Sequence, residues 1–385
     1  GHERFRFFGN VEYGSHISLS DLRRHYHAVC FATGAQTDRR LGIPGEDLAG
    51  SHPATDFVAW YNGHPDYEDL TFNLDAESVA VVGVGNVAVD VARILCRTTD
   101  ELARTDIADH ALEALSESRV TRVYMLGRRG PAQAAFTNAE VKELGELDGA
   151  DVTVLPDEVR LDEFSKADVA AADDAKLVRK IEIVQSFVRK SSGKPRSLCL
   201  RFLVSPVELT GTGGAVSGMK LVRNRLERSG DRLRAVPTDS FEDLDVQLVF
   251  RSVGYHGVAL PDLPFDEGDG IVPNDGGRVT GEPGIYVSGW IKRGPTGIIG
   301  TNKPDGAETA RAILSDLRVG RSWSPAAPTA EAAMNTVRTA QPHLVTYDDW
   351  QAIDESEVAR AQGTERPRVK YVARESLLEL LDRTA

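Results

Sequence analysis

The sequence predicts an α/β protein of the nucleotide-binding type, and three stretches carry that prediction. Residues 78–93 (SVAVVGVGNVAVDVAR) run from an apolar series through a glycine turn into helical spacing. A second apolar run, Tyr124-Met125-Leu126, ends in Gly127-Arg128-Arg129-Gly130. A third, around Ile285-Tyr286-Val287, delivers the glycine-rich stretch 289–302 (GWIKRGPTGIIGTN).

In the first stretch Val79-Ala80-Val81-Val82 reads as a buried parallel strand, and Val89, Val91, Ala92 and Leu95 fall on one helical face. Between them, Gly83-Val84-Gly85-Asn86-Val87-Ala88 has the form of a dinucleotide fingerprint, G-x-G-x-x-A. Gly83 would allow the tight turn, Gly85 would let backbone approach a pyrophosphate, and Ala88 would permit close helix–strand packing. The phosphates would sit at the helix N-terminus, where unpaired N–H groups and the dipole favour an anion. Taken alone the motif is weak, because glycine turns between strand and helix also occur without a ligand. Arg128 and Arg129 sharpen it. An NAD site places an acidic residue near this strand end, whereas arginine suits the 2′-phosphate of NADP. The interval between the two stretches is longer than usual, and residues 98–117 fill it with further helical sequence.

The 385 residues suffice for two domains. A net charge of −13 argues against general nucleic-acid binding. No apolar run is long enough to span a bilayer, and no secretory signal is visible, so we expect a cytoplasmic protein. Cys30, Cys96 and Cys199 are far apart and form neither a C-x-x-C pair nor a metal cluster. All three are expected to be buried and inert.

In chain order, residues 4–11 and 16–19 read as strands, with a helix starting at Ser20-Asp21. Residues 28–35 read as an apolar strand ending in A-T-G-A. A crossing loop is expected at 38–47, a short helical piece at 51–61, helices at 131–147 and 162–183, and strands at 152–155, 198–203, 215–224, 233–236, 244–253 and 284–288. Residues 211–214 (GTGG) read as a hairpin turn rather than a phosphate loop, since no helix follows. Residues 305–317 and 374–383 read as helices.

GVGNVAVDVARIL, GRRGPAQAAFTNAE and GWIKRGPTGIIGTN, in this order, resemble the adrenodoxin-reductase-like family of NADPH–ferredoxin reductases, its bacterial and actinobacterial members most. FATGAQTDR, IPGEDL, FVAWYNGHP and ARTDIADHALE agree, and the likeness runs over residues 4–385. The resemblance implies two Rossmann-like domains of three-layer ββα type, the NADP domain inserted into a discontinuous FAD domain. The expected boundaries are 1–38 and 255–385 for the FAD domain and 39–254 for the NADP domain. It implies FAD and NADP as cofactors, hydride transfer from nicotinamide to flavin, and electron delivery to a ferredoxin-type iron–sulfur protein. Val84, Gly85, Asn86 and Val87 would line the pyrophosphate. Arg128 and Arg129 would hold the 2′-phosphate, with Arg39 and Glu140 assisting. Trp290, Gly297, Ile298 and Ile299 would lie along the isoalloxazine. Glu143 would act in catalysis, paired with a histidine near the flavin.

One departure is large. The family opens with its own G-x-G-x-x-G unit for the ADP half of FAD, and nothing upstream of Arg4 supplies it. We therefore expect a chain short of about a hundred residues at its N-terminus, the paired histidine among them. Two functions stay open on the sequence: an FAD-dependent NADPH–ferredoxin reductase, and an NADP(H)-binding fragment or sensor without turnover. A dithiol reductase lacks its cysteine pair, and a short-chain dehydrogenase lacks Tyr-x-x-x-Lys. A ferredoxin partner would need a basic face, for which residues 189–234 and Lys292-Arg293 are candidates.

Overall fold

The computed structural model describes residues 4–188, 192–230, 232–297 and 299–382. The chain forms two compact units. One takes in the residues up to Thr37, Gly254 to Arg360, and Ala373 onward, while the other runs from Asp38 to Val253 and adds 361–372. That last segment was expected with the C-terminal part of the FAD domain. It joins the second unit because Arg366 donates to the carbonyls of Thr105 and Ile107 and pairs with Asp109, while Lys370 reaches Asp106 at 3.1 Å.

The second unit is built on a six-stranded sheet whose neighbours are all parallel. Its spatial order is Ser51–Pro53, Leu248–Arg251, Ser78–Val82, Arg122–Gly127, Arg196–Phe202 and Ala150–Val154. Ser78–Val82 is buried at every position. A strand covered on both faces needs a continuous apolar run, which is why this stretch does not alternate. Val79 and Val81 pack with Val89, Ala92 and Leu95 of helix Asn86–Cys96. Ala80 and Val82 pack on the other face against Val204, Met219 and Leu221. Those residues belong to an antiparallel sheet of Val204–Thr212, Ala215–Ser229 and Arg232–Leu244. Helices, parallel sheet and antiparallel sheet are the three layers expected. The 211–214 stretch is a hairpin turn, with Gly213 and Gly214 at φ +62 and +85, the backbone that a twisted two-residue hairpin demands.

The first unit carries a four-stranded sheet in the order Val29–Phe31, Ile285–Val287, Arg278–Val279, Asn274–Asp275. Its first pair is parallel and the rest antiparallel. Val29, Phe31, Val272, Ile285, Val287 and Ile291 form its core.

Several local expectations change. Residues 4–11 form no strand; Gly9 makes a single bridge to Val345, and Asn10 turns to φ +57. Residues 16–19 form none either, because Ser18 and Asp21 make a capping box that starts helix Leu19–His25. Residues 131–147 split into a 3-10 turn, Pro131–Gln133, and a helix, Asn138–Leu144, capped by Thr137. Residues 162–183 break at Asp173, which is left-handed at φ +45, into helices Glu163–Ala172 and Ala175–Ser186. Only Cys96 is fully buried; Cys199 is half-buried and Cys30 exposed. Cys30 lies between Val29 and Phe31, so strand alternation turns it away from the core they enter. Among the described residues no helix is long and apolar enough to cross a membrane.

Candidate functional site

Parallel strands Ser78–Val82 and Arg122–Gly127 pair in register from Ser78↔Arg122 to Val82↔Leu126. The glycine turn and the arginine turn therefore leave the same edge of the sheet side by side, at the carboxyl ends where open α/β sheets bind ligands. Gly83 N–H donates to the Leu126 carbonyl at 2.9 Å. The two glycines of the turn do different work. Gly83 is at φ +143, and a Cβ there would collide with the Ser252 carbonyl at the end of the next strand. Its bareness serves packing. Gly85 is at ordinary negative φ, and a Cβ would meet nothing within 4 Å.

Gly85 is the N-cap of helix Asn86–Cys96, and no side chain caps that end. The first turn of an α-helix leaves its amides without helical partners. Here they face an open approach across a residue without a side chain. This is the arrangement a pyrophosphate requires, so the residues present fit the group. The loop after the arginines closes one side: Ala135 and Phe136 N–H groups donate to the Val84 carbonyl at 2.9 and 3.1 Å, and Thr137 N–H to Asn86 Oδ1 at 2.9 Å. Val87 packs on the helical core.

Arg128 is exposed and Arg129 half-buried, and neither forms an ion pair among the described residues. Burial, and then the neighbouring Arg128, pull the Arg129 guanidinium below its ordinary range. Two adjacent guanidiniums without carboxylates leave an unneutralised positive turn. That is a fit for a 2′-phosphate, and a poor surrounding for anything neutral.

The expected helpers stand elsewhere. Glu140 pairs with Arg93 of helix Asn86–Cys96, not with Arg128 or Arg129. Glu143, one turn on, lies 3.4 Å from the same guanidinium and is half-exposed. Asp90 completes the set at 3.2 Å from Arg93. Three carboxylates share one cation, and Asp90 shows the strain: burial raises its pKa, and Glu140 and Glu143 raise it further against the pull of Arg93. Arg39 is exposed at the start of this unit.

In the first unit, strands Val29–Phe31 and Ile285–Val287 are parallel and also release two glycine turns at one edge. Ser288 N–H donates to the Phe31 carbonyl at 2.9 Å. Gly34 and Gly289 are both at φ +77, and a Cβ at either would meet nothing within 4 Å. This open pair of turns fits the approach of a flavin. Trp290 follows Gly289 and stacks on Tyr255, with ring centroids 5.5 Å apart. Gly297 is at φ +82, and Ile299 opens helix Ile299–Arg318. Ile298 lies outside the described residues.

Asp305 holds the Trp290 turn. Its Oδ2 accepts from Gly289 N–H at 2.6 Å and from the Ser288 hydroxyl at 3.1 Å, and Lys292 Nζ sits 3.1 Å from its Oδ1. Burial alone would raise the Asp305 pKa, but these donors outweigh it and hold the carboxyl below the usual aspartate range. Lys292 is buried and also reaches Glu308 at 2.6 Å, so it is no docking residue. Arg293 ties down the following loop through Thr296 O, Thr301 Oγ1 and Asn302 Oδ1. Four arginines of the basic stretch 189–234 are likewise engaged internally. Arg201 is buried against Glu158 and Glu242, Arg223 bridges the same two, Arg225 meets Glu227 and Arg228 meets Asp168. Asp305 and Arg93 were not singled out by the sequence, and Lys292 only as a docking candidate, because their roles depend on partners brought in by the fold.

No family model matches the chain. Relatives do. The chain is 46% identical over 384 residues to the NADPH-ferredoxin reductase FprA of Mycobacterium tuberculosis, covering 98% of this chain and 83% of that protein. It is 41% identical over 397 residues to the mitochondrial NADPH:adrenodoxin oxidoreductase of Rattus norvegicus, covering 98% and 78%. The solved structure of Mycobacterium tuberculosis FprA in complex with NADPH superimposes with a TM-score of 0.91 at 45% identity, covering 99% of this chain and 84% of that one.

Proposed function

The chain belongs to the NADPH–ferredoxin reductase family, and from that membership we infer that it is a flavin-dependent oxidoreductase passing electrons from NADPH through FAD to a ferredoxin-type iron–sulfur protein. The finer reading is a ferredoxin–NADP+ reductase working in the cytoplasm. One observation carries the cofactor side: the uncapped Gly85 helix end and the Arg128-Arg129 turn leave neighbouring parallel strands at one edge. No observation favours a binding module without turnover.

FAD and NADP(H), when bound, supply the hydride and single-electron chemistry. The chain's own task is to bind and orient. Val84, Gly85, Asn86 and Val87 offer backbone to the pyrophosphate, and the helix end adds its dipole. Arg128 and Arg129 select the 2′-phosphate by charge and planar donors. Arg39 assists from the start of the same unit, and Glu140 acts through Arg93 by fixing the helix that carries the glycine turn. The resemblance assigns the isoalloxazine to Trp290, Gly297, Ile298 and Ile299; of these, Trp290 would be presented by a turn that Asp305 keeps in shape. Glu143 is the acid–base candidate, with its carboxylate orientation set by Arg93.

A visible absorption spectrum of the purified protein, followed by NADPH and then NADH addition, tests this reading. We expect flavin bands that bleach with NADPH at far lower concentration than with NADH, and NADPH-dependent reduction of an added ferredoxin. Full-length protein with neither flavin absorption nor ferredoxin reduction sinks the assignment.

A further inference from the structure

We infer that Asn224 is a positioning residue for the Arg128-Arg129 turn, and so a determinant of how strongly the site prefers a 2′-phosphate to a 2′-hydroxyl. The inference deepens the functional reading above and rests on it.

The arginine turn has no ion pair among the described residues to fix its backbone, and its two like charges repel. Something must hold the turn where phosphate contact needs it. Asn224 lies on strand Ala215–Ser229 in the antiparallel layer and is 7% exposed. Its Nδ2 donates to the Arg128 carbonyl at 3.0 Å and to Ser205 Oγ at 2.8 Å. A carbonyl only accepts, so the amide must present its NH2 here, and both of its protons are used. The neighbouring carbonyl is captured by Leu203, the link between strands Arg196–Phe202 and Val204–Thr212. Leu203 N–H donates to Arg129 O at 3.2 Å, and Asn224 N–H closes the circuit on Leu203 O at 2.7 Å. Leu203 itself is held at φ +58, a conformation a leucine adopts only when its surroundings impose it. The carbonyls of both arginines are thereby anchored where the chain enters the antiparallel sheet, through Asn224 and the adjoining Leu203. Among the described residues neither guanidinium is in an ion pair, so both remain available to a phosphate.

A buried asparagine that uses both amide protons also has a purely structural use, in satisfying buried acceptors. The two roles differ in what they predict. A structural asparagine supports every ligand of the unit alike. A positioning asparagine supports only the contact made by the arginines, and leaves the pyrophosphate end at Gly85 untouched.

The test compares adenosine 2′,5′-bisphosphate with adenosine 5′-monophosphate by titration calorimetry on the intact protein, with Asn224→Ala, Asn224→Leu and Ser205→Ala as variants and thermal unfolding as a check on folding. Loss of one neutral hydrogen bond to the turn should weaken the bisphosphate about tenfold in both Asn224 variants. Monophosphate affinity should stay within about twofold, and Ser205→Ala should keep the native ratio, since Ser205 does not touch the arginine turn. Steady-state kinetics should show the same split, with KM rising for NADPH and holding for NADH. Asn224 variants that keep the native ratio, or that lose both ligands equally together with thermal stability, overturn the positioning role. Native protein that fails to distinguish the two ligands overturns the arginine site itself, a separate and earlier failure.

Discussion

Replacing Arg128 and Arg129 together by alanine should convert a strong preference for NADPH into near indifference. The magnitude follows from where the two side chains sit. A hydrogen bond to a charged group contributes about 1.5–3 kcal/mol when it is shielded, and well under 1 kcal/mol when solvent screens it. Arg129 is half-buried and falls towards the first case, while Arg128 is exposed and falls towards the second. The pair together is therefore worth about 2–3 kcal/mol, or roughly 30- to 150-fold in kcat/KM for NADPH. NADH has nothing at the 2′ position for these arginines to hold, so its kcat/KM should move by less than about twofold. The assay is steady-state reduction of an artificial one-electron acceptor with each nucleotide, repeated at two ionic strengths. The native KM for NADPH should rise with salt more steeply than that of the double variant, because only the native site loses screened charge. A double variant that loses activity equally with both nucleotides refutes the reasoning, and would mean that the arginines brace the strand end.

The two glycines of the turn separate packing from binding. Gly83→Ala, with its Cβ driven into the Ser252 carbonyl at a strained φ, should destabilise the protein by about 2–4 kcal/mol. Gly85→Val should leave the thermal midpoint nearly unchanged and raise KM for NADPH and NADH alike; equal destabilisation by the two changes would contradict the geometry. Asp305 has a depressed pKa in the folded protein, so its stabilisation is present above the ordinary aspartate range and lost as pH falls through its lowered value. Asp305→Asn should therefore lose thermal stability near neutral pH and flatten the acid side of the stability profile. An acid limb the same as the native one removes Asp305 from that role. A proton-handling Glu143 predicts that Glu143→Gln lowers kcat and reshapes its pH profile while NADPH affinity holds; an unaltered profile takes Glu143 out of the mechanism.

How much of this was legible beforehand depended on the sequence distance between partners. Val79–Val82, Gly85 and Ala88 are adjacent, and their burial pattern and turn are local matters, so the strand–turn–helix could be read directly. Arg128 and Arg129 were legible as a terminus of an apolar strand, and parallel pairing then brought them beside the glycine turn. The turn role of Gly83 was legible, and its φ of +143 agrees, but its packing constraint was not, for the opposite reason. Its constraint comes from Ser252, far along the chain on a strand inserted next to Ser78–Val82. Lys292 looked like a surface cation because its neighbours Arg293 and Gly294 are polar or small. Helix Ile299–Arg318 then returns Asp305 and Glu308 to it, and the lysine turns inward.

Glu140 and Glu143 show the limit most clearly. Their spacing of three put them on one face of a helix, and that much was readable. What the face meets was not. A carboxylate beside a phosphate site is an electrostatic contradiction unless a cation stands between, and the nearest one in the sequence, Lys142, pairs with Glu146 instead. The fold supplies Arg93 from the far side of the intervening helices and strand, on the very helix whose N-terminus is offered to the pyrophosphate. The acidic pair and the anion site are thus opposite ends of one arrangement. Arg93, in the last turn of helix Asn86–Cys96, absorbs the negative charge, and the amides at Gly85, more than a turn away, remain positive and open. Charge placement of this kind favours an anion at one end of a helix and cations at the other.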